Sequence, residues 1–339
     1  MRVALCYNQK RAKAPRGLPP DADAEWDSIE TIHAVRDALA ERHQCVLVEG
    51  DLDCYAKLRK LKPAIVFNIA EGWGGPSREG YVPTICEMLG IPYTASDPVT
   101  LNLCLQKSHT TDILRAHGLP VPFSVVIPVA SPPRQIREAM RHLVGQGLVV
   151  KPIHEGSSKG VRDSSLVRDL ERLLEEVSRV HRTYHQAALA ERFLEGREFT
   201  VAMLGNPPVI LPIIEVDLDE LPPDTNPLYS YEAKWVWDTA AKPLDIFKCP
   251  AKLKMPLDHC IRDICRQAWD VLGIRDWCRI DLRCDETGNP HLLEVNPLPG
   301  ILPNPADNSC FPKAARAAGI SYSQLINRVL DAAIARVGL

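Results

Sequence analysis

The chain has 339 residues, of which 45% are hydrophobic and 24% charged, a composition typical of a globular protein with two or three lobes. Its 40 basic and 43 acidic residues give a formal net charge of −3, which excludes a broad basic surface for nucleic acid. No apolar run approaches the roughly 20 residues that span a bilayer. The first residues turn polar too soon for a signal peptide, and the eleven cysteines include no C-x-x-C pair. We therefore expect a cytoplasmic protein with reduced thiols and no membrane association.

The first hundred residues alternate predicted strands with a predicted helix. The strands are placed at 3–7, 45–48 and 64–68, and the helix at 29–39. Ser28 is a suitable N-cap for that helix. Alternation of this kind predicts a parallel sheet, whose ligands gather at the carboxyl ends of the strands, and Glu71 follows the third strand closely. The sequence contains no G-x-G-x-x-G, so it does not support a dinucleotide site.

A change of structural unit is predicted near residues 90–98, where glycine and proline interrupt the pattern. The elements predicted beyond it are helices at 101–117, 165–180, 257–272 and 321–337 and strands at 148–152, 188–193 and 199–204. Residues 222–250 are rich in proline and aromatic side chains and show little periodicity. A connection of that length usually serves as a lid or an ordered functional loop.

Two strands near the carboxyl end form a predicted hairpin around residues 285–289. Because side chains alternate between the faces of a strand, Asp281 lies on one face of the first strand, and Glu294 shares a face with Asn296 on the second. If these faces coincide, three oxygen ligands converge beside Arg279. Such a set suits Mg²⁺ that also binds nucleotide phosphates. A solvated hairpin with ordinary surface charges is the alternative.

A glycine- and serine-rich loop follows the strand predicted at 148–152. Its sequence, Glu155-Gly156-Ser157-Ser158-Lys159-Gly160, frees backbone N–H groups that can bind phosphate oxygens. Lys151 at the end of the strand can add a positive charge to the same phosphates. The Walker spacing is absent. A mobile surface loop is the alternative.

The strand around Glu191 is apolar enough to line a purine pocket, and its carboxylate can accept a hydrogen bond from an adenine amino group. Glu198, at the start of the next strand, is a candidate for the ribose hydroxyls. Taken alone, each glutamate is better explained as an ordinary surface carboxylate.

These elements follow the order found in ATP-grasp carboxylate–amine ligases, and the chain most resembles the D-alanine–D-alanine ligase family. The resemblance covers nearly the whole chain, through LGIPYTASD, VVKPIHEGSSKG, ERFLEGREFTVAMLG, YSYEAKW, RIDLR and LLEVNPLPG. It implies an α/β protein with the ATP-grasp fold. The expected units are an N-terminal parallel-sheet domain at 1–100, a central subdomain at 101–194 and a C-terminal subdomain at 195–339. The last carries a lid at 217–250, and ATP lies between the second and third units.

The resemblance also implies a role for each candidate residue. Residues expected at the phosphates are Lys107, Lys151, Glu155, Ser157 and Ser158. Residues expected at the adenine and ribose are Glu191, Phe193, Leu194 and Glu198. Residues expected to hold two Mg²⁺ ions, for which Mn²⁺ can substitute, are Asp281, Glu294 and Asn296. Residues expected in catalysis are Arg279 and the Gly300 N–H at the oxyanion, Lys234 at the γ-phosphate, and Ser158.

The expected reaction begins when a substrate carboxylate attacks the γ-phosphate and forms an acyl phosphate. An amine then attacks the acyl carbon, and phosphate leaves. Positioning and charge neutralisation supply most of the catalysis in phosphoryl transfer. Arg279 and an N–H donor are suitable groups for a tetrahedral oxyanion.

The first-substrate segments depart from the family pattern. The family's glutamate for the substrate ammonium has only Glu25 or Asp27 as counterparts, and the family's histidine-glycine segment is Glu71-Gly72 here. Arg78 and a basic stretch at 10–16 indicate an anionic group on a substrate, with solvated surface charge as the alternative.

The second-substrate segment departs as well. The family serine that contacts the substrate carboxylate falls near Asn304 and Pro305, and proline has no hydroxyl to donate. Tyr231 is expected beside Lys234 in the lid, and Cys310 lies close enough to touch substrate.

We therefore expect an ATP-dependent ligase that joins amino-acid-like substrates other than two D-alanines. A true D-alanine–D-alanine ligase is the first alternative, and a non-catalytic ATP-binding sensor is the second. The expected partners are small molecules and a second copy of the chain in a homodimer.

Overall fold

The computed structural model describes residues 1–11, 19, 21–238 and 243–339, and within these ranges the chain forms three β-sheets flanked by helices. The strands are β1 (Arg2–Tyr7), β2 (Gln44–Glu49), β3 (Ile65–Asn68), β4 (Ser124–Ile127), β5 (Leu148–Pro152), β6 (Leu166–Val167), β7 (Ala188–Arg192), β8 (Glu198–Leu204), β9 (Val209–Ile210), β10 (Ile214–Val216), β11 (Phe247–Lys248), β12 (Trp277–Cys284) and β13 (Pro290–Asn296). The helices are α1 (Ile29–Ala40), α2 (Cys54–Leu61), α3 (Tyr81–Leu89), α4 (Pro98–Leu105), α5 (Lys107–Ala116), α6 (Pro133–Met140), α7 (Leu170–Tyr184), α8 (Met255–Leu272), α9 (Cys310–Ala317) and α10 (Tyr322–Val337).

The N-terminal sheet is parallel, as the sequence predicted, with strand order β2-β1-β3. Both faces of β1 are buried, because Val3 and Leu5 pack into one core and Ala4 and Cys6 into another. This two-sided burial is typical of parallel strands covered by helices. The predicted N-cap is also confirmed, since the Ser28 hydroxyl accepts a hydrogen bond from the Thr31 N–H.

The helix predicted at 101–117 is wrong as one element, because the chain breaks it at Gln106. That residue has a ψ of +89°, which is not helical, and α5 begins at the next residue. The Lys107 N–H donates to the Ile153 carbonyl at 3.1 Å, so the break brings Lys107 to the loop that follows β5.

The helix predicted at 165–180 begins later, at Leu170, where the Asp169 side chain caps it. The residues before it extend instead, because Leu166 and Val167 pair with β5 as the short strand β6.

The other two sheets are antiparallel and face each other across a cleft. One has the order β4-β7-β5-β6, and the other has β11-β10-β8-β12-β13 with β9 paired to β8. The lid predicted at 217–250 is partly ordered by β11 and by a π-helix at Ala233–Trp237. The sheets therefore place β5 and β7 on one side of the cleft and β8, β12 and β13 on the other.

The carboxyl-terminal helices return to the N-terminal sheet. Leu325, Val329 and Leu330 of α10 share a buried core with Ile32 and Leu39 of α1. The Asn327 side chain also donates to the Ala38 carbonyl at 2.8 Å. A division of the chain at residue 100 therefore does not separate the cores. None of the helices in the described ranges is both long and apolar enough to cross a membrane.

Asp276 joins three distant parts of the chain. Its carboxylate has no exposed surface, and it accepts hydrogen bonds from the Ala95 N–H at 2.8 Å and the Asn206 side chain at 2.6 Å. Arg336 of α10 pairs with the same carboxylate at 2.8 Å. A buried carboxylate with this many partners holds the N-terminal unit against the large sheet.

We expect Asp276→Ala to lower the free energy of unfolding by about 3–5 kcal/mol, because it leaves Arg336 and two donors without their acceptor. Urea unfolding followed by circular dichroism measures the effect. Asp270→Ala, at an exposed position near the end of α8, is the matched control and should change stability by less than about 0.5 kcal/mol. A loss of similar size in both variants would contradict the role given to Asp276.

Candidate active site

The cleft between the two antiparallel sheets contains a cavity of about 230 Å³. The residues that the sequence proposed for nucleotide, metal and catalysis and that line this cavity are Lys107, Lys151, Glu155, Ser157, Ser158, Glu191, Phe193, Leu194, Glu198, Lys234, Arg279, Asp281, Glu294 and Gly300. A smaller cavity of about 80 Å³ shares Glu25 and Asp27 with it and adds Glu71 and Asn296. The fold thus brings together residues that lie up to 275 positions apart in the sequence, from Glu25 to Gly300.

The register of the β12–β13 hairpin brings together the two faces that the alternation predicted separately. Asp281 lies opposite Glu294, and Arg279 lies opposite Asn296. The Asn296 side chain donates to Asp281 at 3.2 Å, and Arg279 pairs with the same carboxylate at 2.8 Å. The three oxygen-bearing side chains therefore share one face, beside the arginine.

Glu294 is held ionised by the cations around it. Burial raises its pKa, but Lys107, at 2.7 Å, together with the more distant Lys151 and Arg279, outweighs burial and brings the pKa of Glu294 to about 2. An ionised carboxylate is the form that binds a metal.

The donor set of Asp281, Glu294 and Asn296 fits a hard divalent cation. In the described part of the chain no cluster of three or more His, Cys, Asp or Glu side chains forms a closed metal site. Two carboxylates and an amide leave room for phosphate oxygens and water, which is how Mg²⁺ is usually bound beside a nucleotide. The two carboxylates are paired with Arg279 and Lys107 in this structure.

The glycine- and serine-rich loop after β5 has a special backbone conformation. Ser157 and Ser158 have φ values of +51° and +58°, in the left-handed region that non-glycine residues rarely adopt. Residues in such strained conformations cluster at ligand-binding sites, where the surrounding structure holds them in place. The Lys159 N–H closes the turn by donating to the Gly156 carbonyl at 2.8 Å.

The lid residues contact this loop directly. The Ser158 hydroxyl donates to the Tyr229 carbonyl at 3.0 Å, and the Trp235 indole donates to the Ser157 carbonyl at 3.3 Å. Lys234 projects into both cavities, and burial together with the nearby Arg279 charge lowers its pKa to about 8. Tyr229 and Trp235 of the lid therefore lie against the glycine- and serine-rich loop.

The candidate adenine and ribose residues also line the larger cavity. Lys151 and Glu191 form a buried ion pair at 2.7 Å across β5 and β7. Burial lowers the pKa of Lys151, but Glu191 outweighs it and raises the pKa. Glu198 pairs with Arg283 at 3.0 Å, and the same guanidinium lies 4.4 Å from the centre of the Phe193 ring.

Arg283 was not among the residues proposed from the sequence, although a signal was present. It shares the alternation of Arg279 and Asp281 along β12, and it lines the same cavity. Its guanidinium also donates to the Pro227 carbonyl of the lid at 2.9 Å. Arg283 therefore connects the candidate ribose carboxylate to the lid.

The first-substrate end of the site contains a buried charge network centred on Arg78. The guanidinium of Arg78 lies 2.5 Å from Glu25 and 3.3 Å from Glu155. Lys159 pairs with Glu155 at 2.7 Å, and the Gly156 N–H donates to Glu25 at 2.6 Å. Burial raises the pKa of Glu155, but Arg78 and Lys159 outweigh burial and lower it. Arg78 thus meets internal carboxylates, which leaves no free guanidinium for an anionic substrate group.

Three proposed substrate residues line neither cavity, namely Arg78, described above, Tyr231 and Asn304. Tyr231 stacks against Arg162 at 4.5 Å, and its N–H donates to the Val161 carbonyl at 2.8 Å. Asn304 is exposed, and its side chain caps a turn toward Asp307. The basic residues Lys13 and Arg16 lie outside the described residues.

Ser309 occupies the place expected of Asn304. It is 6% exposed, lines the larger cavity and precedes α9 directly. Its hydroxyl donates to the Gly300 carbonyl at 3.2 Å and accepts from the Leu302 N–H at 3.1 Å. Ser309 could have been found as the N-cap of α9, but the sequence analysis did not predict that helix. Cys310 follows it into the same cavity, and burial raises the pKa of its thiol to about 11.

Comparison with known proteins gives a consistent picture. Residues 113–331 match the family profile described as the D-ala D-ala ligase C-terminus. A protein of Sinorhizobium fredii that is named only as uncharacterized is 35% identical and aligns over 98% of this chain and 97% of its own length. The D-alanine–D-alanine ligase of Chromohalobacter salexigens is 36% identical over 81% of this chain and 79% of its own.

Among solved structures, the D-alanine–D-alanine ligase of Bacillus anthracis in complex with ATP superposes with a TM-score of 0.72. The match covers 99% of this chain and 98% of that one at 21% identity, which shows a shared fold.

Proposed function

Because this chain belongs to the D-alanine–D-alanine ligase family, a family of ATP-dependent ligases with the ATP-grasp fold, we propose that it joins the carboxylate of one D-amino acid to the amine of another and accepts D-alanine in both positions. Family membership favours an enzyme over the non-catalytic sensor considered above. The relatives' names also support D-alanine–D-alanine ligation better than the other substrate pairs expected from the sequence.

One observation carries the proposal: candidate phosphate, metal and oxyanion groups line one cleft. Lys151 and the strained Ser157–Ser158 backbone lie on one side, and Asp281 and Glu294 lie on the other. The lid adds Lys234. Phosphoryl transfer needs positioning and charge neutralisation more than covalent chemistry from the protein, and this arrangement supplies both.

The side chains divide the reaction between them. Lys151 and the loop N–H groups hold the phosphates, and Glu191 and Glu198 hold the adenine and ribose. Lys234 neutralises charge on the γ-phosphoryl group as the substrate carboxylate attacks it. Arg279 then stabilises the oxyanion that forms when the amine attacks the acyl carbon, with the Gly300 N–H as a second donor.

Asp281, Glu294 and Asn296 are proposed to hold two Mg²⁺ ions, or Mn²⁺ in their place. Bound there, the ions would neutralise phosphate charge and orient the oxygens of the transferred group. Arg279 and Lys107 now neutralise the same two carboxylates, so their charges are available to the phosphates when metal binds.

Ser309 removes one reason to exclude D-alanine as the second substrate. The sequence placed the family's carboxylate-contacting serine near Asn304 and Pro305, which could not serve. In the structure Ser309 lines the cavity instead, on the turn that carries Gly300. We propose that its hydroxyl donates to the carboxylate of the second substrate.

The direct test is release of ADP and phosphate by the purified protein with Mg²⁺, ATP and D-alanine, with the peptide product identified by mass spectrometry. We expect one ADP for each dipeptide and only background release with L-alanine. If a broad panel of amino acids gives only background hydrolysis while ATP binds, the proposal is wrong.

We expect Ser309→Ala to raise the KM of the second substrate by about tenfold or more, because a hydrogen bond to a charged group is lost. The ATP KM should stay the same, since the Ser309 hydroxyl bonds to the Gly300 carbonyl and the Leu302 N–H rather than to a candidate nucleotide residue. Ser323→Ala on the exposed side of α10 is the matched control. An equal rise in the KM of both amino-acid positions would argue against this role.

A further inference from the structure

The closed end of the smaller cavity holds more carboxylates than cations. Glu25, Asp27, Glu71 and Glu79 all line it. Arg78 and Lys159 pair with Glu25 and Glu155, so these two cations are already matched by two carboxylates. Lys107 and Arg279, which line the cavity with Lys234, are paired with Glu294 and Asp281. Asp27, Glu71 and Glu79 form no ion pair among the described residues.

Glu79 is the most informative of the three. It is 8% exposed, faces the cavity and has no hydrogen-bond or ion-pair partner among the described residues. Burying an unpaired carboxylate is costly, so native proteins normally give such a group a partner. The missing partner of Glu79 therefore points to a ligand.

Two further carboxyl groups surround the same space. Burial and the charges of Glu79 and Glu25 raise the pKa of Glu71 well above its usual range. Burial also raises the pKa of Asp27 to about 7 and that of Glu79 to about 8, although Lys10 and Arg78 respectively oppose these shifts. A cation placed among the three carboxyl groups would favour their ionised forms and offset the repulsion between them.

The loop that carries these groups is rigidly built. Gly72 has a φ of +79°, and a Cβ there would lie 2.3 Å from the Arg78 carbonyl, so the loop closes tightly on itself. The Trp26 indole donates to the Gly72 carbonyl at 3.0 Å, and the Gly80 N–H donates to the Asn102 side chain at 3.1 Å. Glu71 and Glu79 are therefore held in place and do not need a ligand to order them.

We propose that Glu71 and Glu79 form a specificity site for a second cationic group on the first substrate, which would make a short diamino acid a better first substrate than D-alanine. The inference rests on the proposed function and places the first substrate in the smaller cavity, which Glu25 and Arg279 both line. There the α-ammonium meets Glu25 or Asp27, and the side-chain ammonium reaches Glu71 and Glu79. The cavity of about 80 Å³ favours short side chains.

The test compares diamino acids with neutral analogues of the same shape as first substrates, with D-alanine as the second. The pairs are 2,3-diaminopropionate with 2-aminobutyrate, 2,4-diaminobutyrate with norvaline, and ornithine with norleucine, each as both enantiomers. We expect kcat/KM to be at least about tenfold higher for the best diamino acid than for its neutral analogue. Glu79→Gln should remove that preference and leave turnover of the neutral analogue within about threefold.

Glu138→Gln, at an exposed position of α6, is the matched control and should keep the preference. Glu71→Gln provides a second variant if Glu79→Gln does not fold. Calorimetric binding of 2,4-diaminobutyrate and norvaline, with Mg²⁺ and a non-hydrolysable ATP analogue, tests the site without turnover.

Equal or better use and binding of the neutral analogues would overturn the inference, while dipeptide formation from D-alanine would still support the proposed function. Selective binding of the diamino acid without any ADP release would support the acidic site and overturn the proposed function.

Discussion

Replacing Arg279 with methionine is expected to lower kcat by about a hundredfold to a thousandfold, the usual cost of losing one oxyanion donor. Arg279 lines both cavities and sits beside Asp281 on β12, and the other two candidate metal ligands lie on the neighbouring strand β13. In the proposed reaction its charge would lie close to the acyl carbon and to the γ-phosphate. The ATP Kd should change by less than about threefold, because the adenine and ribose contacts lie elsewhere in the cleft.

The measurement pairs steady-state ADP release with ATP binding in the absence of turnover. Arg197→Met is the matched control, since Arg197 pairs with Glu215 away from both cavities. Arg279→Lys should fall between the wild type and Arg279→Met, because it keeps the charge but loses the planar fork. Equal losses in kcat and ATP affinity would argue against an oxyanion role.

Replacing Glu294 with glutamine is expected to lower kcat/KM for ATP by at least about a hundredfold, since even the outer partners of metal ligands cost 10- to 100-fold. Glutamine keeps the size of the side chain and removes its charge. Lys107 then loses the carboxylate it pairs with at 2.7 Å and stays free to bind phosphate. In the absence of metal, Glu294→Gln should therefore bind ATP as tightly as the wild type or more tightly.

The measurement is activity as a function of Mg²⁺ concentration. We expect higher Mg²⁺ to recover part of the lost rate in Glu294→Gln and none in Arg279→Met. Glu286→Gln, at the tip of the same hairpin, is the matched control because Glu286 pairs with Arg192 on the surface. A Glu294→Gln variant with wild-type Mg²⁺ dependence would contradict the metal assignment.

The sequence predicted the β12–β13 hairpin well because strand alternation is a local property. Period two placed Asp281 on one face of its strand and Glu294 with Asn296 on one face of theirs, and the register, which the sequence left open, brings these faces together. The same logic predicted the Ser28 cap, since an N-cap and its helix are neighbours in the chain. The resemblance to the family is confirmed, and it carried the fold beyond what local patterns allow.

The first-substrate network could not be predicted because its members are distant in sequence. Glu25 and Arg78 are 53 residues apart, and Glu155 lies another 77 residues along. Arg78 was expected to meet an anionic substrate, but a folded chain brings internal carboxylates to it first. Local patterns show that such a residue is charged and do not show which charge it meets.

Loop lengths caused the remaining differences. Gln106 breaks a helix that the apolar pattern continued through, and the break is what brings Lys107 to the phosphate loop. Ser309 lies five residues beyond the position expected from counting after Gly300. A turn can contain extra residues without changing the fold. Counting residues after Gly300 therefore placed the expected serine hydroxyl near Asn304 and not at Ser309.

The central claim is that this cleft activates a carboxylate as an acyl phosphate, and oxygen transfer tests it most directly. The first substrate is labelled with ¹⁸O in its carboxylate, and the released phosphate and ADP are analysed by mass spectrometry. Attack on the γ-phosphate, followed by departure of phosphate from the acyl carbon, carries one ¹⁸O atom into each phosphate. We expect one labelled oxygen per phosphate and none in the adenine nucleotide. Unlabelled phosphate, or label in AMP, would contradict the account.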